Sequence, residues 1–240
     1  MRPLSAAELL EAWEKAAGRD SLERSHILLR AAGERDSTEL PLGERDARLL
    51  TLREWTFGTE VSAVTRCPQC KEEIELAFQV GDLRVEAKSK AEEFSISAEE
   101  YEIKFHLPNS KDIDAVRSEP ADRASIPKRL LARCISGATH GGERISVESL
   151  PDSVVKAVSD QMAESDPQAE IELCLDCSSC KHSWKELFDV ELFLWAEIQA
   201  WASRLLMEIH QLAASYGWSE SDILAMSPVR RNIYLNLIAG

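Results

Sequence analysis

The sequence predicts an α+β fold, and three features carry that prediction. Apolar residues recur every three or four positions through both ends of the chain. Alternation of period two flanks two widely separated Cys-x-x-Cys turns, and a stretch mixing both periods lies between them. The expected organisation is an N-terminal helical segment (1–58), a β-rich region (59–191) that carries an inserted α/β module (81–167), and a C-terminal helical segment (192–240).

The elements follow in order. Ser5 is an N-cap before Leu9, Leu10, Trp13 and Ala17 at helical spacing, and Gly18 ends that helix. A second helix is expected from Ser21 to Ala32, closed by Gly33. Leu49, Leu50, Leu52 and Trp55 give a third an apolar face, and it stops near Gly58. Val61, Ala63 and the stretch EEIELAF then alternate around Cys-Pro-Gln-Cys, which predicts a hairpin with the cysteines at its tip. Residues 81–93 are polar and read as a loop. FSIS and YEIKFHL read as strands, with Ile103, Phe105 and Leu107 on one face. Asn109 and Ser110 can cap a helix over SKDIDAVRS.

Further helices are expected from Ala121 to Ile135 and from Pro151 to Ala163, with GATHGG as a loop between them. EIELCLDCSSCKHSWKELFDVEL repeats the pattern of strand, Cys turn and strand. EIEL itself occurs at Glu73–Leu76 and again at Glu170–Leu173, so the two hairpins read as halves of one unit. Leu194, Ile198, Trp201, Leu205, Ile209, Leu212 and Tyr216 form a long helical stripe that Gly217 terminates. A helical hairpin follows. Ser219 with Asp222 caps its first helix and Ser227–Pro228 starts its second, whose apolar side is Ile233, Tyr234, Leu237 and Ile238.

The 240 residues are 44% hydrophobic, enough for a core, and no apolar run is long enough to span a bilayer. The first residues carry scattered charge and lack a signal-peptide h-region, so the expected compartment is the cytosol. Forty-two acidic against 28 basic residues give a net charge of −14. That charge serves solubility and repels phosphate backbones at long range.

Six cysteines lie at 67, 70, 134, 174, 177 and 180. In a cytosolic chain, close pairs read as metal ligands before disulfides. Zinc takes four soft ligands at tetrahedral positions, and each Cys-x-x-Cys turn supplies two. The expected ligands are Cys67, Cys70, Cys177 and Cys180, making a split four-Cys zinc ribbon with a structural zinc. Lys71 and Lys181 follow the turns and would offset part of the thiolate charge. Cys174 also makes a Cys-x-x-Cys with Cys177, and His182 could replace a thiolate, so both are alternative ligands. Cys134 stands alone in a helical stretch and reads as a small buried hydrophobe. Closing a loop this long costs a few kcal/mol, and zinc binding, at roughly ten kcal/mol or more, offsets it. Four protein thiolates leave no open position for a catalytic water.

No phosphate loop, Gly-x-Ser-x-Gly or His-Glu-x-x-His motif occurs, and the five histidines are scattered. His210 reads as a helix-surface residue. Trp195, Trp201 and Trp218 read as core packing, with an aromatic partner-binding surface as the alternative. Arg204, Arg230 and Arg231 read as a solvated face, too small a basic surface for DNA.

LPLGERDARLLTLREWTFG running into Cys-Pro-Gln-Cys is similar to the Gly-x-Arg-Asp…Leu-Leu…Arg…Phe-Gly…Cys-Pro-x-Cys pattern of the T-even-type phage baseplate protein family. CSSCKHSW and the tail through YGWSESDILAMSPVRRNIYL resemble proteins encoded with contractile tails and phage-like contractile injection systems. The resemblance covers residues 40–80 and 168–240. It implies a non-enzymatic baseplate or hub assembly protein or chaperone of a contractile tail or injection system, made in the bacterial host cytoplasm. Its partners would be hub, other baseplate or tape-measure proteins, with no nucleic acid and no membrane. Cys67, Cys70, Cys177 and Cys180 match the family's Cys turns, and Cys174 departs from them. The alternative reading is a zinc ribbon that binds nucleic acid or serves transcription, which predicts salt-sensitive binding to DNA or RNA.

Overall fold

The computed structural model describes residues 1–85, 91–119 and 125–239. The part of the expected 81–93 loop at 86–90, and the start of the expected helix at 121–124, lie outside the described residues. The chain divides into two compact units. One comprises Met1–Arg35, Leu49–Gly58 and Asp189–Gly240, so residues from both terminal segments contribute to it. The other comprises Asp36–Arg48 and Thr59–Phe188.

The first unit is helical: α1 (Ala6–Ala16), α2 (Ser21–Ala31), most of α3 (Leu42–Phe57), α7 (Val190–Tyr216), α8 (Glu220–Leu224) and α9 (Pro228–Ala239). Its starts are set by caps. Ser5 and Glu8 form a capping box, Asp20 accepts the Glu23 N–H, and Asp189 accepts the Leu192 N–H. In the 27-residue α7, Leu194, Ile198, Leu205, Ile209 and Leu212 of the expected stripe are buried together with Ala202, whereas Tyr216 at its end is exposed. Four of these pack with Leu10 and Ile223, and Trp201 and Trp218 lie against the cluster. Gly217 ends α7 at φ 69°, the left-handed region that glycine enters without a Cβ penalty. Tyr216 then stacks on Trp218 at 4.4 Å between centroids, and Trp218 meets Tyr234 edge-to-face at 4.8 Å.

Buried charge completes this unit. Arg53 grips Glu197 with two bonds, at 2.9 and 2.7 Å, and donates to the Gly58 carbonyl at 2.8 Å. Arg24 pairs with Glu191 at 2.9 Å and lies over Trp195. Arg231, expected on a solvated face, is only 3% exposed. It donates to Glu208 at 3.1 Å and to the Met226 carbonyl at 2.8 Å. The expected apolar side of α9 is also corrected. Ile233 and Leu237 are 55% and 67% exposed, with Val229 at 72% and Ile238 at 40%, because the face turned inward presents Arg231, Tyr234 and Leu235. Trp55 of α3, expected at the core, is 43% exposed, whereas Leu49, Leu50 and Leu52 are buried.

The second unit holds an antiparallel sheet ordered β3 (Phe94–Ala98), β4 (Tyr101–Phe105), β5 (Ile135–His140), β6 (Glu143–Arg144). With it come α4 (Ser110–Ser118), α5 (Ile126–Cys134) and α6 (Asp152–Ser165). Ile103, Phe105 and Leu107 are buried as expected, packed with Leu131, Cys134, Val154, Val158 and Met162. The GATHGG segment is not a loop. Ile135–His140 is an interior strand, and Gly141 and Gly142, at φ 58° and 87°, make a tight turn into β6. The strand lacks large alternating side chains, so its sequence hides it. Two separate hairpins complete the unit: β1 (Glu60–Arg66) with β2 (Glu73–Gln79), and β7 (Glu172–Asp176) with β8 (Ser183–Leu187). The structure is therefore α+β. Among the described residues no helix is long and apolar enough to cross a membrane.

Candidate metal centre

Each hairpin carries its Cys turn at the tip. β1 and β2 end their pairing at Arg66 and Glu73, and β7 and β8 end theirs at Asp176 and Ser183. The connections 67–72 and 177–182 are therefore equal in length, and their backbones match bond for bond. The Cys67 N–H donates to the Glu72 carbonyl at 2.9 Å and the Lys71 N–H to the Cys67 carbonyl at 3.0 Å. In the second turn Cys177 donates to His182 at 2.9 Å and Lys181 to Cys177 at 3.0 Å. Lys71 and Lys181 sit at φ 65° and 61°, a left-handed conformation that a non-glycine residue adopts at some cost. Their place in the turn was not evident from sequence, where they read only as counter-charges. The Lys71 ammonium bonds the Pro68 carbonyl at 2.9 Å.

The two tips meet. Cys67 Sγ lies 3.6 Å from Cys180 Sγ, and Cys70 Sγ lies 3.6 Å from Cys177 Sγ. All four sulfurs are within 4.8 Å of one another. A disulfide would need about 2.05 Å, and the cysteines are free. Four sulfurs held about 2.3 Å from a central ion form a tetrahedron with edges of about 3.8 Å. The donor set fits a tetrahedral thiolate-loving ion, and these four residues could hold one.

Main-chain amides surround the sulfurs in equivalent places. Gln69 and Cys70 donate toward Cys67, and Ser179 and Cys180 toward Cys177. Glu72 donates toward Cys70 and His182 toward Cys180. The Cys180 amide, first among its causes, brings the Cys177 thiol down to about 7. Burial pushes Cys67 up, and the Cys70 and Gln69 amides outweigh it, so this thiol is lowered. Cys70 and Cys180 go the other way. The Glu72 amide lowers Cys70, but burial and three neighbouring sulfurs carry it up to about 12. The His182 amide and the Cys70 sulfur lower Cys180, and burial with the Cys177 and Cys67 sulfurs raises it on balance. Like charges this close resist joint ionisation, and a divalent cation removes that resistance.

Side-chain contacts outside the Cys turns also join the hairpins. Each is its own two-stranded sheet, a form marginally stable alone in water. Val64 and Leu187 are exposed. Phe78 meets Phe188 edge-to-face at 5.8 Å, and the Thr65 hydroxyl donates to Glu186 at 2.7 Å. The latter pair had no sequence signal, since the residues lie in different hairpins. Cys174 lies on β7 with an exposed side chain, outside the four-sulfur group. The His182 ring stacks on Trp184, also outside that group. Cys134 is buried, as read from sequence.

A model of the T4 bacteriophage base plate protein family matches residues 23–195. The chain belongs to that family. No curated protein and no solved structure matches it. The base plate match spans both Cys turns and also the 81–167 segment, and it ends inside α7. Residues 196–240, with α8 and α9, lie beyond it. A phage base plate role follows for this chain, and with it contact with other tail proteins.

Proposed function

We propose that this chain is a non-enzymatic assembly protein or chaperone of the baseplate hub, for a contractile tail or contractile injection system. A structural zinc on Cys67, Cys70, Cys177 and Cys180 fastens its two hairpins into a split zinc ribbon. The observation that carries this reading is the closed four-sulfur cluster inside the span matched to a base plate family. Four thiolates fill a tetrahedral shell, so such an ion stabilises the fold and has no place for a reacting water.

The acidic surface supports protein partners over nucleic acid. Val229, Ile233 and Leu237 on α9, spaced four residues apart and exposed, supply an apolar stripe for a hub or tape-measure partner. Co-expression with the hub and tape-measure proteins of the same tail tests the reading. A stable complex is expected, and Ile233→Glu should weaken it more than tenfold while leaving circular dichroism and zinc content unchanged. Normal tail assembly after deletion of the gene would end the idea.

A further inference from the structure

A second group of metal-ligating side chains lies away from the four sulfurs. His106 directly follows β4, Asp112 is in the first turn of α4, and Cys134 is the last residue of α5. Three elements therefore converge, and the backbone holds them in place. The His106 N–H donates to the Cys134 carbonyl at 3.0 Å. Asp112 closes the capping box of α4 with Asn109, which fixes its carboxylate at the helix start. His106 Nε2 lies 3.1 Å from Asp112 Oδ2, and the sulfur, imidazole and carboxylate donors all lie within 4.8 Å of one another.

We propose that His106, Asp112 and Cys134 form a second site for a divalent transition-metal ion. Oxygen, nitrogen and sulfur donors in one cluster suit zinc or cobalt, which accept all three, and not the oxygen-seeking magnesium or calcium. A thiolate and a carboxylate balance the charge of a divalent ion, and the thiol proton leaves to solvent on binding. Asp112 and Cys134 are buried, whereas the His106 side chain is 35% exposed. The imidazole side is the route by which an ion enters, and three protein ligands leave a fourth position for water. Arg133 Nε stands 3.8 Å from Asp112 Oδ1, on the other carboxylate oxygen from the one His106 meets. The ion would pin β4, α4 and α5 of the sheet unit together, independently of the hairpin tips.

The test is a cobalt titration of the whole chain after chelation under reducing conditions. Two equivalents are expected, one with the absorption of a four-sulfur centre and one with a weaker, mixed-donor signature. His106→Gln should bind one equivalent and keep the four-sulfur spectrum. Cys70→Ser should lose that spectrum and keep the mixed one, so failure of either site is seen separately. If His106→Gln fails to fold by circular dichroism, Asp112→Asn, which retains an acceptor for the Asn109 N–H, gives the same reading. One equivalent in the native chain, unchanged by His106→Gln, overturns the second site. Two equivalents retained in both His106→Gln and Asp112→Asn overturn it as well.

Discussion

Gly43 shows how a single missing side chain can matter more than helix propensity. Replacing a helical glycine by alanine ordinarily stabilises by up to about 1 kcal/mol. Here an added Cβ would collide with Asp166 Oδ1 and lie 2.8 Å from the Ala169 nitrogen. It would also push the Asp166 carboxylate off the Gly43 N–H, now 2.9 Å away. Overpacking costs about 1–3 kcal/mol, so Gly43→Ala should lower Tm. Arg53→Met leaves Glu197 without its partner and the Gly58 carbonyl without its donor. Since Glu197 is partly exposed, the lower end of the buried-pair range applies: about 3 kcal/mol, or roughly 6–12 °C of Tm by calorimetry. Acid behaviour divides by sign. Arg2, then the Ser5 amide and hydroxyl, hold Glu8 down to about 2. Its contribution is full above the unfolded value of 4.5 and is lost as pH falls toward 2, so wild type and Glu8→Gln should converge in stability there. Asp166 behaves oppositely: burial raises its pKa against the Gly43 amide and Arg45, and its contribution declines as pH rises through the folded value.

The proposed zinc makes the Cys hairpins the elements to test for ligand dependence, and thiol labelling reads it. Of the six cysteines, Cys174 is exposed on β7. Cys134 is buried and pushed up to about 12, first by burial and then by Asp112. With zinc bound, iodoacetamide should modify Cys174 alone, and chelation should add the four turn cysteines. Cys134 should react only in denaturant. Cys70→Ser should lower zinc affinity by more than about a hundredfold, since even outer-shell changes cost 10–100-fold. The elements that announced themselves in sequence did so through local chemistry. Ser5, Asn109, Ser219 and Gly217 act within one turn of the chain, so their roles are visible in a short window. β5 was hidden because its partners β4 and β6 define it more than its own side chains do. The inward face of α9 was misjudged because Arg231 finds Glu208 and the Met226 carbonyl, and such partners have no sequence pattern.

At the scale of the whole molecule, the four sulfurs were legible as one group because two identical spacings recur, and the structure brings them together. The His106, Asp112 and Cys134 grouping was not, because three different elements deliver one residue each. The meeting of the tips also orders events during synthesis. Cys70 precedes Cys177 by 107 positions and Cys67 precedes Cys180 by 113. A ribosome adding about 5–20 residues per second leaves the first turn waiting on the order of 5–20 s for its counterpart. Until then it offers an ion two donors where four are wanted. Nascent chains stalled before residue 177 should release zinc readily, and those stalled well past residue 180 should retain it. Translation itself would set when the clasp closes.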